Sequence, residues 1–456
     1  MLPITLSKIA SIINAKLINN INNDVILTIS LDSRKITKNK KCLFIALRGK
    51  NFDSHNFILE AIHNGVIAIL VCYECKINIP QLIVSNTKTA LGKLSLWVRQ
   101  QYSVKALTIT GSSGKTSVKE ITTSILKQCG HVLCNFGNQN NDIGVPITLL
   151  KLTSKHDFIV IELGANKFHD IMWTNSLVKP EIVLINNISF AHLEGFKDIY
   201  GVSKAKSEIF LEKSICHCVI NLDSNDIPNW KIFFYNKKIW YFSLYKNNLA
   251  HFFIVNIVNI NNNINYYLHT PIGKCKLTIP LFGIYNISNI IAASALAILA
   301  GAPLSAVTQG ISQLLPIRSR LYPIVLSKNK LLIDDSYNAN VSSTILAANT
   351  LSKFNGYKIM IISDILELGS KSILYHNFIG KIIKNFRINE ILTIGKLSYF
   401  LGKNINHNKH FFDLINLIKY IKKLILYYNN ITILVKGSHN TLANYIVNIL
   451  INNILC

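Results

Sequence analysis

Acidic residues are scarce in this 456-residue chain: 23 Asp and Glu stand against 48 Lys and Arg, a formal charge of +25. Such a surplus would suit a nucleic-acid partner, yet no helicase or RNA-binding motif accompanies it. The lysines are scattered, and the same chain is saturated with Ile and Asn, as in Asn259-Ile-Asn-Asn-Asn-Ile-Asn265. One biased vocabulary accounts for the charge, and no nucleic-acid partner is expected; part of the excess would help draw in a polyanionic substrate. Cysteine lacks metal-site spacing: Cys72-x-x-Cys75 has no second pair, and Cys216-His-Cys218 is equally isolated. Free thiols in a reducing compartment are the expectation, with zinc the alternative. The start, Met1-Leu-Pro-Ile, has neither the basic residues nor the apolar run of a signal peptide. The longest apolar stretch, Ile290 to Ala300, is too short to cross a bilayer. A cytoplasmic protein without a membrane span is expected, despite 50% hydrophobic residues. No internal repeat is visible, which excludes a solenoid. The length suits two to four domains, each able to bury a core.

What is present is more specific. Thr110-Gly-Ser-Ser-Gly-Lys-Thr-Ser-Val-Lys119 follows an apolar run, Ala106 to Ile109, and precedes a helical stretch, Val118 to Leu126. A strand, a glycine turn and a helix start together form a phosphate grip. Gly111 and Gly114 let the backbone around Ser112, Ser113 and Ser117 curl so that its N–H groups point inward. Lys115 can reach terminal phosphates and the Thr116 hydroxyl can hold Mg²⁺. The usual spacing puts a glycine five residues before Gly114, where Ile109 stands, so Gly111 makes a tighter loop. The plain alternative is a Gly/Ser turn ahead of an ordinary helix; Lys and Thr directly after the second glycine argue against it.

Three segments emerge along the chain. Residues 1–85 mix short strands (Leu43 to Leu47, Ile67 to Cys72, Gln81 to Val84) with a helix near Asn56 to Asn64. Residues 86–315 open with a helical connector, Lys88 to Gln101, and contain the phosphate loop. The Asn-rich stretch 259–265 reads as a hairpin loop between Phe252 to Val258 and Tyr266 to His269. Residues 316–456 alternate apolar strands (Lys330 to Ile333, Tyr357 to Ile362, Glu390 to Ile394, Ile431 to Val435) with helical stretches, the beat of a parallel sheet with covering helices.

Ligands of open parallel sheets bind beyond the carboxyl ends of the strands. Phe158 to Ile161 ends at Glu162, and Glu181 to Ile185 leads to Asn186, Asn187 and then His192. If these strands flank the loop strand, Glu162 and His192 lie near Lys115 and Thr116. Glu162 supplies a carboxylate for a hard cation, whereas His192 could supply a ring nitrogen or orient a water. Taken alone, each reads as a strand-end acid or a satisfied loop histidine. Lys204 reads as a solvated charge on a helical stretch, Lys204-Ala-Lys206-Ser-Glu-Ile-Phe210.

The ordered motifs Asp32-Ser-Arg-Lys35, Phe52-Asp-Ser-His55, Thr110 to Lys119, Gly137-Asn-Gln-Asn-Asn-Asp-Ile-Gly-Val-Pro146, Ile161 to Ala165, Ala191-His-Leu-Glu-Gly-Phe196, Lys204 to Phe210, Asp334-Asp-Ser-Tyr-Asn-Ala-Asn340, Glu367-Leu-Gly369 and Val435-Lys-Gly-Ser438 make the chain similar to the Mur ligases. These are ATP-dependent amide-forming enzymes of peptidoglycan synthesis, and the resemblance covers Asp32 to Ser438. It implies three α/β domains: a small uridine-nucleotide domain, a central P-loop domain with a mostly parallel sheet, and a Rossmann-like C-terminal domain that closes on the nucleotide. Asp335 to Asn340 and Ala191 to Phe196 point, within the family, to addition of D-alanyl-D-alanine to UDP-N-acetylmuramoyl-tripeptide. ATP and Mg²⁺ are implied as cofactors, and a monomer is expected. On matching positions, Ser33, Arg34, Asp53 and His55 would line the uridine end, and Asn140 and Asn141 the sugar–phosphate region. Lys115 would grip phosphates, and Thr116, Glu162 and His192 would lie at Mg²⁺. Lys206 would be a carbamate, an anionic oxygen ligand where an ammonium would repel the metal. Asn286 and Asn289 would contact adenine, Arg320 and Asp335 the γ-phosphate and ribose, and Asn338 and Asn340 the incoming dipeptide.

The chain departs from the family pattern in four places. Tyr285 replaces a histidine, and Ser319, Ser54 and Ser363 stand where glycines are usual; serine at a position needing positive φ would be strained. Three rival readings have discriminating observations. A nucleic-acid ATPase would show steeply salt-dependent affinity, a decayed binding protein would form no ADP, and a sibling ligase would prefer another amine. The third residue of the tripeptide has no readable motif.

Overall fold

The computed structural model describes residues 2–20, 22–36, 38, 40–49, 52–224, 227–260, 263–279 and 283–454. The first segment forms a five-stranded sheet in the order Lys16–Ile18, Gln81–Ile83, Val66–Val71, Cys42–Ile45, Thr28–Ser30. Its last four strands are parallel, and the first runs antiparallel to its neighbour. The helix Thr87–Gln100 leads out of it, started by the Asn86 side chain, which accepts from the Thr89 N–H at 2.9 Å.

The central sheet has six strands, all parallel, in the order Lys238–Phe242, His217–Asn221, Ile182–Ile185, Lys105–Thr110, Phe158–Glu162, Val132–Cys134. Both faces are covered, which is why these strands read as apolar runs. Leu107 and Ile109 face the helices Lys115–Leu126 and Ile284–Leu299 through Val118, Ile121, Ile290 and Leu296. Ala106 faces the other side, with Ile161, Ile171 and Val183. Each fully buried aliphatic side chain contributes about 1.5–3 kcal/mol of transfer free energy. The loop strand sits between the strands of Glu162 and Ile185, with Glu162 level with Ile109 and Ile185 level with Thr110.

The hairpin differs from the sequence expectation. Strands Phe253–Ile260 and Asn263–Thr270 run through the Asn-rich stretch, pairing Asn259 with Ile264 and Ile260 with Asn263. Pairing of these two strands with each other overrides the turn preference of asparagine; the third strand, Gly273–Thr278, reaches the stretch only at Asn265. Residues 261–262 of that expected loop lie outside the described residues.

The last segment forms a second six-stranded sheet in the order Tyr322–Ser327, Lys330–Asp335, Ile431–Lys436, Tyr357–Ser363, Glu390–Ile394, Asn408–Phe411. Only its first pair is antiparallel. One apolar cluster runs from Ile9 and Leu91 through Ile161 and Phe196 to Leu368 and Ile379, so the three sheets pack on one another. The carboxyl ends of the central strands and of Lys330–Asp335 face a common space.

Candidate active site

The loop after Lys105–Thr110 is held in a shape only glycine permits. Gly114 has φ 76°, and a Cβ there would lie 2.4 Å from Asn289 Oδ1. A Cβ on Gly111 would approach Asn186 Cβ at 3.0 Å. The inward turn expected of the loop N–H groups does not hold at Ser112 and Ser113, whose N–H groups strap the loop from behind. Ser112 N–H donates to the Asn187 carbonyl at 2.9 Å, and Ser113 N–H to Asn187 Oδ1 at 2.9 Å. Asn186 Nδ2 donates to the Ser113 carbonyl at 3.0 Å and to Asn289 Oδ1 at 2.9 Å. Asn289 in turn donates to Asn286 Oδ1 at 3.3 Å. The two asparagines assigned to adenine thus brace the loop. Lys115 folds back so that Nζ donates to the Gly111 carbonyl at 2.8 Å. Burial lowers its pKa, against the opposing pull of Glu162.

Helix start and neighbouring strand then meet. Thr116 Oγ1 donates to Glu162 Oε2 at 2.6 Å, and Asn140 Nδ2 donates to Oε1 at 2.7 Å. Asn141 is turned to local duty, its Oδ1 accepting from the N–H of Gly144 at 2.8 Å. His192 sits in the left-handed region with φ 53° and its Nδ1 lies 2.7 Å from Glu367 Oε2. Burial lowers the His192 pKa, and the imidazole contact lowers that of Glu367; a neutral ring donating from Nδ1 keeps Nε2 as an acceptor. Lys206 is 1% exposed. Burial and then Lys115 push its pKa well below the usual lysine range, and no carboxylate pairs with it among the described residues. Lys204, two residues earlier, is exposed.

The C-terminal sheet closes the space. Arg320 reaches across to donate to Thr116 Oγ1 at 2.7 Å and stacks on Tyr337 at 4.2 Å. Asp335 is held by Lys436 Nζ at 2.6 Å, which also donates to the Asn338 carbonyl at 3.1 Å. Burial raises the Asp335 pKa against that pairing. Asn340 caps the helix Val341–Ser352 and donates to the Ser112 carbonyl at 3.4 Å. These groups, with Ser117, Asn140, Asn141, Asn286, Asn289 and Asn338, line one cavity of about 1040 Å³.

Other assigned residues lie elsewhere. Gly111 and the fully buried Lys206 do not line the cavity, and neither do the residues assigned to the uridine end, Ser33, Arg34, Asp53 and His55. The uridine-end residues follow the carboxyl ends of adjacent parallel strands in the N-terminal sheet. Arg34 makes a bidentate pair with Asp32 at 2.9 and 3.0 Å. Asp53 pairs with His55 Nδ1, and His55 Nε2 accepts from the Cys72 N–H at 3.1 Å. The expected glycine strain is confirmed at Ser319, with φ 58°, and is absent at Ser54 and Ser363, which have no positive φ. Ser363 matters instead through its hydroxyl, 2.7 Å from Thr441 Oγ1. Tyr285 lines the cavity, its phenol pKa raised well above 10.0 by burial and by Asp335.

Several contributors carry no role in the sequence reading. Glu367 and Lys436 stand in quoted motifs, and Asn187 follows an expected strand end. Lys119 closes the quoted loop motif without a role of its own, and Asn135 offers no local signal at all. All eight cysteines among the described residues are free, and no described helix is long and apolar enough to cross a membrane.

A backbone cradle with a lysine and a hydroxyl–carboxylate pair, lidded by an arginine from a second α/β body, is built for a string of phosphates. It defines a nucleotide-dependent P-loop enzyme. Residues 109–297 match the family model described as Mur ligase middle domain. The UDP-N-acetylmuramoyl-tripeptide--D-alanyl-D-alanine ligase of Escherichia coli (strain K12) is 43% identical, with 100% of each chain covered. The protein of that name from Buchnera aphidicola subsp. Baizongia pistaciae is 44% identical over 99% of each. The crystal structure of MurF from Acinetobacter baumannii superposes with a TM-score of 0.93 at 31% identity, covering 99% of each chain. The chain belongs to the Mur ligase family.

Proposed function

We propose that the chain is an ATP-dependent ligase that joins D-alanyl-D-alanine to UDP-N-acetylmuramoyl-tripeptide, giving the pentapeptide precursor of peptidoglycan. One observation carries the reading: Lys115, Thr116, Glu162, His192 and Arg320 converge on one cavity between two sheets. Full-length relatives at 43–44% identity bear the corresponding name.

In the first step the terminal carboxylate of the tripeptide attacks the γ-phosphorus of ATP. The bond to the ADP oxygen breaks and an acyl phosphate forms. Lys115 and Arg320 offset the charge on the transferring group. In the second step the dipeptide amine, having lost a proton, attacks the acyl carbon and phosphate leaves. An acyl phosphate hydrolyses in open water, so contact of the last sheet with the loop excludes water and aligns the amine.

The donor set fits magnesium. Thr116 Oγ1 and Glu162 Oε2 are two hard oxygens 2.6 Å apart, and magnesium takes one or two such ligands beside phosphates and waters. When bound, Mg²⁺ would neutralise phosphate charge. With Nδ1 taken by Glu367, His192 would offer Nε2 to the metal or to a water. Lys206 fits carbamate formation: burial and Lys115 favour its neutral amine, whose nitrogen attacks CO₂ and loses a proton. Asn286, Asn289 and Asp335 would take the adenosine, Asn338 and Asn340 the dipeptide, and Asn140 and Asn141 the acceptor's sugar–phosphate. Ser33, Arg34, Asp53 and His55 would take its uridine end, reached by an extended substrate. Domains of 1–85, 86–315 and 316–456, a monomer and a cytoplasmic location complete the proposal.

The test is phosphate release by purified protein with ATP, the UDP-tripeptide and a panel of amines. Release that depends on D-alanyl-D-alanine is expected. Release with another amine alone overturns the substrate, and no release with any overturns the catalysis.

A further inference from the structure

Lys119 lies on the loop helix, one turn after Lys115, and is 0% exposed. A buried ammonium is unfavourable unless it is paired and hydrogen-bonded, and a leucine would pack that position more simply. Its Nζ donates to the Asn135 carbonyl at 2.6 Å and meets Glu120 Oε1 at 2.8 Å. Asn135 is itself 0% exposed and stands just past the edge strand Val132–Cys134. That strand's pairing with Phe158–Glu162 stops at Cys134 opposite Val160. Beyond it the Asn135 side chain takes over. Its Oδ1 accepts from the Glu162 N–H at 3.0 Å, and its Nδ2 donates to the Glu162 carbonyl at 3.0 Å and to the Gln139 carbonyl at 2.9 Å. A side-chain amide thus imitates one more strand residue at the position whose carboxylate meets Thr116.

We propose that Lys119 is a positioning residue which, through Asn135, fixes the Glu162 backbone and so sets the carboxylate that serves the phosphate and metal end of the site. The proposal rests on the role given to Glu162 above. A bond network behind a ligand orients it, and its loss typically lowers metal affinity about 10–100-fold.

The experiment compares Lys119→Met, Lys119→Arg, Asn135→Ala, the Lys119→Met/Asn135→Ala double variant and Glu162→Ala. Mn²⁺ binding is read by electron paramagnetic resonance with ADP present, beside the Mg²⁺ dependence of phosphate release and circular-dichroism melting. Lys119→Met and Asn135→Ala should each weaken Mn²⁺ binding by roughly tenfold or more. The double variant should be no worse than Asn135→Ala alone, Lys119→Arg should recover part of the loss, and the KM for the UDP-tripeptide should stay put. A plain strut would lower the melting temperature and leave metal binding by the folded variant unchanged; that result overturns the proposal. If Lys119→Met does not fold, Asn135→Ala decides by the same criterion. Unchanged Mn²⁺ binding in Glu162→Ala would instead sink the reading of Glu162 itself.

Discussion

The two six-stranded sheets face the same cavity but supply it in different ways. The central sheet contributes a glycine loop braced by Asn186, Asn187 and Asn289, with Lys115, Thr116, Glu162 and His192 around it. The C-terminal domain contributes side chains: Asp335 and Asn340, anchored on its own sheet and helix, and Arg320, which reaches across. The first starts from one short stretch of chain, the glycine loop, although its braces come from 73 or more residues away. The second works only when Arg320 crosses to Thr116, 204 residues away. The contrast shows a site divided between a fixed grip and a clamp that must dock.

The comparison breaks most sharply at the grip. Lys115→Ala should lower ADP release by about 10²–10³-fold while uridine-nucleotide binding persists, measured by coupled assay and calorimetry; ordinary turnover would end the proposed mechanism. On the clamp side, Lys436→Met leaves Asp335 buried without its cation. It should destabilise the fold by about 3–5 kcal/mol in urea denaturation, and a change below about 1 kcal/mol would show the pair to be dispensable.

The His192–Glu367 contact joins the two halves and makes their union sensitive to acid. The folded pKa of His192 lies below its ordinary 6.5, so the unfolded chain binds the proton first. That stability is present above about pH 6.5 and is lost as pH falls through the folded value. Glu367 is held below its ordinary 4.5. Its contribution is present above about pH 4.5 and drains away as pH falls through its lowered value. Melting temperature should therefore decline on acidification from pH 7, and Glu367→Gln should flatten the lower part of that decline. A profile unchanged by the substitution would separate the pair from closure.

The smallest effect isolates strain at the clamp's root. Ser319 combines φ 58° with a hydroxyl bond to Asp334 Oδ2 at 2.9 Å. Ser319→Ala loses the bond and keeps the strain, costing about 1 kcal/mol. Ser319→Gly loses both and should be more stable than the alanine variant by about 1 kcal/mol. Equal stabilities would mean that the left-handed backbone there carries no strain.

Legibility followed the same division. The phosphate loop was readable because its spacing is local, and Glu162 and His192 because strand ends in a parallel sheet share an edge. Arg320 and Asp335 were placed by family resemblance, since no local pattern says that one sheet lids another. Lys119 read as part of a loop motif; that it is buried and reaches Asn135 depends on a strand whose position no spacing reveals. The Asn-rich stretch misled for a related reason. Asparagine favours turns when alone, but here the two strands pair with each other through the stretch.

By itself, the order of residues determined the strand–loop–helix cradle, the apolar beat of two parallel sheets and the family, because these arise from neighbours in the chain. Only the tertiary structure decided that Glu367 meets His192, that Arg320 reaches Thr116, and that the Arg34 and His55 cluster stays apart from the phosphate cavity. Those contacts depend on how separately folded sheets pack, and packing is set by whole surfaces rather than by any short run of residues.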